Sequence, residues 1–212
     1  MYEADSKQII QIKEDMSKID LNALRDGVYK TACEHGFHDV ELSNEHFICL
    51  VISELMKAME ADRKGKRACI ESYKLLSQAS IERTRNPEYF NEVSFLYHIK
   101  DTVGDELADA IIRLLDLYGL RGIDLNEDAF DEETISEYSV TYRNKSFTES
   151  IFHIIKFIAS NNEVFVRSCI VPEMLLLEIF GLAKYLSIDL MWHVEQKMKY
   201  NELREKMHGK KY

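Results

Sequence analysis

The sequence predicts an all-α protein. Two prolines and eight glycines in 212 residues are too few for a chain of many short strands and turns. Apolar residues recur at helical spacing in at least six places. The composition, 46% hydrophobic and 30% charged, is that of a globular chain with a sizeable core.

Taken in order, the spacing predicts a short helix over 6–16. A second runs from an Asp20 N-cap to about Glu34, with Gly36 as its stop. Ser43 or Asn44 caps a third, which runs to about Arg63, where RKGKR makes a basic loop. Residues 68–84 form the next, ended by Asn86-Pro87. A helical segment from Glu88 to Tyr118 follows, with an irregularity near Gly104, and GLRGIDL closes it. NEDAFDEETISEY shows no clear period and reads as a linker. Helices over 146–159 and 172–186 come next, and MWHVEQKMKYNELREKM is the last, ending before His208. Placing DELADAIIRLLDLYGLRGIDL over PEMLLLEIFGLAKYLSIDL matches Glu106 with Glu173, Tyr118 with Tyr185 and IDL with IDL. Duplication and the chance likeness of two leucine-rich helices compete to explain it. The expected organisation is one compact unit, with a half over 1–125 and a second half, a degenerate repeat at most, over 126–212.

A net charge of -10 argues against general affinity for a nucleic acid backbone, which needs lysine and arginine to displace counterions. Cys33, Cys49, Cys69 and Cys169 show no C-x-x-C spacing, so neither a zinc site nor a disulfide framework is indicated, and a reducing cytoplasm is the expected setting. MYEADSKQII lacks the features of a signal peptide, and no apolar run approaches a membrane span.

The chemistry concentrates on three acids. On a helical wheel Phe47, Leu50, Val51, Ala58 and Ala61 lie within about 60° of Glu54, so this carboxylate sits in an apolar stripe. A buried carboxylate must be paired, protonated or given a metal. Lys57, one turn on, offers an ion pair. The alternative is Mg²⁺ held between Glu54 and the pair Glu106 and Asp109, since a hard cation takes oxygen ligands. On periodicity alone, Glu106 and Asp109 fall on a solvated face beside Arg113.

The runs GFHDVELSNEHFICLVISELMKAMEADRKGKRA, DELADAIIRLLDLYGLRGIDL and KMKYNELREKMHGKKY together resemble the MazG-like all-α nucleoside triphosphate pyrophosphohydrolases. The resemblance spans most of 36–125 and 197–212. It implies a helical bundle in which Glu54, Glu106 and Asp109 hold Mg²⁺, with Mn²⁺ as a substitute, and in which Lys197, Asn201 and Arg204 meet the substrate phosphates. The implied reaction cleaves a nucleoside triphosphate, or its deoxy form, to the monophosphate and pyrophosphate, with the general base unassigned. Relatives commonly assemble as dimers or tetramers, so a homo-oligomer is a further expectation.

One position departs. Lys57 stands where the family's E-x-x-E motif has its second glutamate, and Glu60 points about 120° away from Glu54. Replacing a carboxylate by an ammonium weakens metal binding. The alternative function is therefore a catalytically weakened relative that binds nucleotide or a protein partner. Trp192 and His193 read as core, His38 and His46 as isolated, and RKGKR as a solvated loop.

Overall fold

Leu21 begins the first helix because the carboxylate of Asp20 accepts the Ala23 N–H at 2.7 Å, satisfying one of the amides that every helix start leaves open. The computed structural model describes residues 20–161 and 172–209, so the helix expected over 6–16 and Cys169 lie outside the described residues. Within them are nine α-helices and no strand: α1 Leu21–Glu34, α2 Asn44–Arg63, α3 Ile70–Thr84, α4 Glu92–His98, α5 Val103–Arg121, α6 Glu132–Val140, α7 Phe147–Asn161, α8 Pro172–Tyr185 and α9 Leu190–Glu202. Short 3-10 turns cover Glu127–Phe130 and Lys206–Gly209. None of the described helices is long and apolar enough to cross a membrane.

Side chains cap seven of these helices in the same way, from Asp20, Ser43, Asn91, Thr102, Asp131, Ser146 and Asp189. Two of these caps correct the sequence reading. The segment expected to run from Glu88 to Tyr118 is two helices, because Asp101 takes a left-handed backbone (φ 59°) and Thr102 starts α5 afresh. The break thus precedes Gly104. The acidic stretch is no linker either: Asp131 caps α6, whose Ile135 is buried, and α6 packs along α8. A nine-residue helix crowded with acids presents too little apolar surface for its period to show.

α5 is the axis of the molecule. It packs against α1, α2, α8 and α9, and thirteen of its nineteen residues are buried. Around it lies one apolar core drawn from both halves of the chain, including Leu21, Val51, Leu55, Leu107, Leu114, Ile154, Leu176 and Val194. A smaller core of Tyr73, Phe95, Ile99 and Tyr200 ties α3 and α4 to α9, with Phe95 and Tyr200 stacked at 4.8 Å.

The two IDL tripeptides leave their helices alike. Ile123 N–H donates to Tyr118 O at 2.9 Å and Ile188 N–H to Ala183 O at 2.8 Å, each just past a left-handed residue, Gly122 or Ser187. That shared ending pairs Tyr118 with Ala183 rather than with Tyr185. Accordingly Tyr118 is fully buried while Tyr185 is exposed.

Close helix contact makes Gly181 critical. A Cβ on Gly181 of α8 would lie 2.7 Å from Tyr138 Cβ and 2.8 Å from its carbonyl carbon, which is backbone and cannot step aside. Gly181→Ala is expected to cost about 2–3 kcal/mol by overpacking, read as a fall in Tm of roughly 5–10 °C. Gly27→Ala is the control. Its Cβ meets only Met198 Cε at 3.7 Å, and helix propensity predicts a gain of up to about 1 kcal/mol.

Candidate functional site

The first two turns of α5 carry Asp105, Glu106 and Asp109, spaced so that Asp109 lies one turn beyond both of the others. Acids are favoured here by the positive end of the helix dipole. Asp105 Oδ2 also accepts the Asp101 N–H at 2.9 Å, closing the turn that precedes the helix.

Glu54 of α2 faces this group. One oxygen from each of Glu54, Glu106 and Asp109 lies within 4.8 Å of the others. Glu54 is 3% exposed and Glu106 5%. The expectation of a solvated face for Glu106 is therefore corrected: α5 is covered on most sides, so the first turn of its polar stripe is buried with its apolar one. Asp109 keeps a side-chain exposure of 20%.

Lys197 reaches in from α9 and lies between two of these acids, 2.9 Å from Asp105 Oδ2 and 2.8 Å from Asp109 Oδ2. At 4% exposure it is a buried ammonium braced on carboxylates. Burial opposes its charge, yet Asp109 and Asp105 outweigh burial and raise its pKa above the ordinary lysine value. The same contacts act in reverse on the acids. For Asp109, burial alone would raise the pKa, but Lys197, with help from Arg113 and Lys57, holds it below the usual range. Asp105 is pushed up to about 6, by burial against the pull of Lys197. Glu106 is pushed up to about 8, by burial and the neighbouring Asp109 charge. Its Oε2 is buried with no hydrogen-bond partner.

Glu54 meets two cations. Lys57 donates to Oε2, as its spacing on the helix allows, and Arg113 Nε lies 3.6 Å from Oε1. Lys57 is anchored only at its tip, with its side chain 46% exposed. Arg113 is mostly buried and also covers the Phe37 ring at 5.5 Å.

Beside the acids opens a small cleft of about 50 Å³, between α1, α5 and α9. Phe37, Asp109, Arg113, Asp116, Asn201 and Arg204 are among its lining residues. Asn201 is buried, and its Oδ1 has no hydrogen-bond partner. Asp116 is tied to His38, Nε2 to Oδ1 at 2.7 Å, so His38 has a structural partner after all. His193 is core as expected, with its ring against Gly104 and its pKa lowered to about 4 by burial.

All six expected site residues thus gather along one wall built by α2, α5 and α9 and the turn after α9. Glu54, Glu106 and Asp109 converge; Asn201 and Arg204 line the adjoining cleft; Lys197 is bound to Asp105 and Asp109 and does not line it. Sequence reasoning missed Asp105, Arg113 as a partner of Glu54, and Phe37. Only Asp105 had a signal, its one-turn spacing from Asp109. What fold and site define together is an all-α protein with a buried, multiply charged acid centre. No family model matches the chain, and no curated protein or solved structure matches it either.

Proposed function

We propose that this protein is a Mg²⁺-dependent nucleoside triphosphate pyrophosphohydrolase of the MazG-like kind, releasing pyrophosphate and a monophosphate. The observation that carries the reading is the convergence of Glu54, Glu106 and Asp109 from two helices, with oxygens within 4.8 Å of one another. The donor set suits the ion: three carboxylates are hard ligands, and Glu106 Oε2 is a buried acceptor that nothing else satisfies. Glu54, Glu106 and Asp109 would hold the metal. Once bound, Mg²⁺ supplies charge neutralisation for the triphosphate and polarises water for in-line attack.

The chain's own groups do the rest. Arg204 and the Asn201 amide, on the cleft beside Asp109, offer donors to phosphate oxygens. Lys197 fixes Asp109 as a positioning residue and keeps it ionised, because its ammonium is spent on carboxylates. Arg113 and Lys57 hold Glu54 in line until a metal competes for it.

A second reading has its own observation. Both Glu54 oxygens face cations, Lys57 standing at the position of a motif glutamate, so the charges balance without an ion. That arrangement suits a weakened relative that binds nucleotide or a protein partner without turnover. The deciding measurement is pyrophosphate release from a panel of nucleoside triphosphates with Mg²⁺ or Mn²⁺. The enzyme reading expects release well above that of Asp109→Ala. Release no greater than the variant's excludes it. Lys57→Glu then separates the two: turnover that appears only in this variant identifies a disabled enzyme.

A further inference from the structure

Asp101, Asp105 and Glu106 form another group, each bringing one oxygen within 4.8 Å of the others. Oxygens on opposite sides of one ion are about 4.8 Å apart for Ca²⁺ and about 4.2 Å for Mg²⁺, so the group needs only slight closing to share a cation. Acidic clusters are common on surfaces. This one differs in having two buried oxygens left over. Asp105 is fully buried, and its Oδ1 has no partner, because Lys197 and the Asp101 N–H both go to Oδ2. Glu106, 5% exposed, has Oε2 in the same condition. Unsatisfied carboxylate oxygens at such depth are costly, and native structures rarely keep them without a ligand.

We propose that Asp101, Asp105 and Glu106 form a second site for a hydrated divalent cation such as Mg²⁺ or Mn²⁺, with Glu106 common to both acid groups. Asp101 is half exposed and supplies the open side through which the ion enters with its remaining waters. The cations facing the group are Lys197 on Asp105, Lys57 near Glu106, Lys100 at 3.1 Å from Asp101 Oδ1 and Lys66 at 3.9 Å from Asp101 Oδ2. The last two are solvent-exposed pairs of little strength, which a divalent ion displaces easily. A carboxylate has two oxygens, so Glu106 can serve two ions, an arrangement used in two-metal phosphoryl chemistry. The proposal rests on carboxylate geometry alone and stands whether or not the nucleotide reading does.

The test is a Mn²⁺ titration of the full chain, following the loss of the free-ion signal by electron paramagnetic resonance. Asp101→Asn is the variant of choice: asparagine tolerates the left-handed backbone at this exposed position, so the turn survives. Asp101→Asn is expected to bind one Mn²⁺ fewer than the natural protein. Unchanged stoichiometry and affinity in Asp101→Asn overturns the second site. Glu54→Gln reads the other group independently. If Glu54→Gln changes nothing while Asp101→Asn loses an ion, the nucleotide-site reading fails and this one holds. Lys100→Met, which frees an Asp101 oxygen, is expected to tighten the event that Asp101→Asn removes, with unchanged circular dichroism in both variants.

Discussion

Lys197→Met is expected to remove about 3–5 kcal/mol of stability at neutral pH, the cost of leaving buried charge without its partner. The ammonium is 4% exposed and holds two carboxylates at 2.8–2.9 Å, so its loss strands Asp105 and Asp109 together. The pH dependence gives the cause away. In the natural protein the raised Lys197 pKa means a contribution fully present below the unfolded lysine value and lost only as pH rises through the folded one. The depressed Asp109 pKa gives a contribution present above the unfolded carboxylate value and lost as pH falls through the folded one. Both are therefore constant from about pH 5 to 9. In the variant the stranded acids relieve their repulsion by taking up a proton, so the deficit shrinks as pH falls towards 5. Urea unfolding at pH 8 and pH 5 measures both quantities. A loss under about 1 kcal/mol at both pH values would be the signature of an exposed surface pair instead, and would remove Lys197 from the centre of the site.

The sequence and the structure agree where one element's pattern decides the outcome. The all-α class, the Asp20 and Ser43 caps and the Glu54–Lys57 contact all follow from spacing within a single helix. They part where several elements meet. Periodicity assumes that each helix has a dry and a wet face, and on that assumption Glu106 and Asp109 point to water. α5 has little wet face, because α1, α2, α8 and α9 pack around it and bury Glu106, leaving Asp109 partly open. No property of its own residues announces that. On the sequence Lys197 is expected to meet phosphates, and its role as a brace is not legible, since Asp105 lies 92 residues away in sequence. The acidic run before α6 failed for the opposite reason. A short helix whose cap and first turn are Asp131, Glu132 and Glu133 has composition against it and only the cap geometry in its favour.

Glu106→Gln is expected to make the metal-free protein more stable above neutral pH while abolishing its response to metal. Glu106 has its pKa pushed up to about 8, against 4.5 for the free side chain, chiefly because burial penalises the charged form. Between those values the folded state holds a proton that the unfolded chain has released, so stability falls as pH rises through the window and levels off above it. Over the whole window the total is of order 5 kcal/mol. Glutamine removes that slope: the variant should match the natural protein near pH 4.5 and exceed it by about that amount at pH 8–9. A divalent ion is expected to close much of that gap. An ion that binds the ionised carboxylate of the folded state alone should, at a hundredfold excess over Kd, return about 2.7 kcal/mol to the natural protein. Glu106→Gln has no charge to offer and should gain little. Thermal unfolding from pH 5 to 9, with and without Mn²⁺, separates the outcomes. If the variant is the less stable at pH 8 without metal, Glu106 is ionised and partnered in the fold; if Mn²⁺ raises both proteins equally, the ion sits elsewhere. The expected pattern, a residue that costs stability until an ion arrives, is what a binding centre shows and a structural ion pair does not.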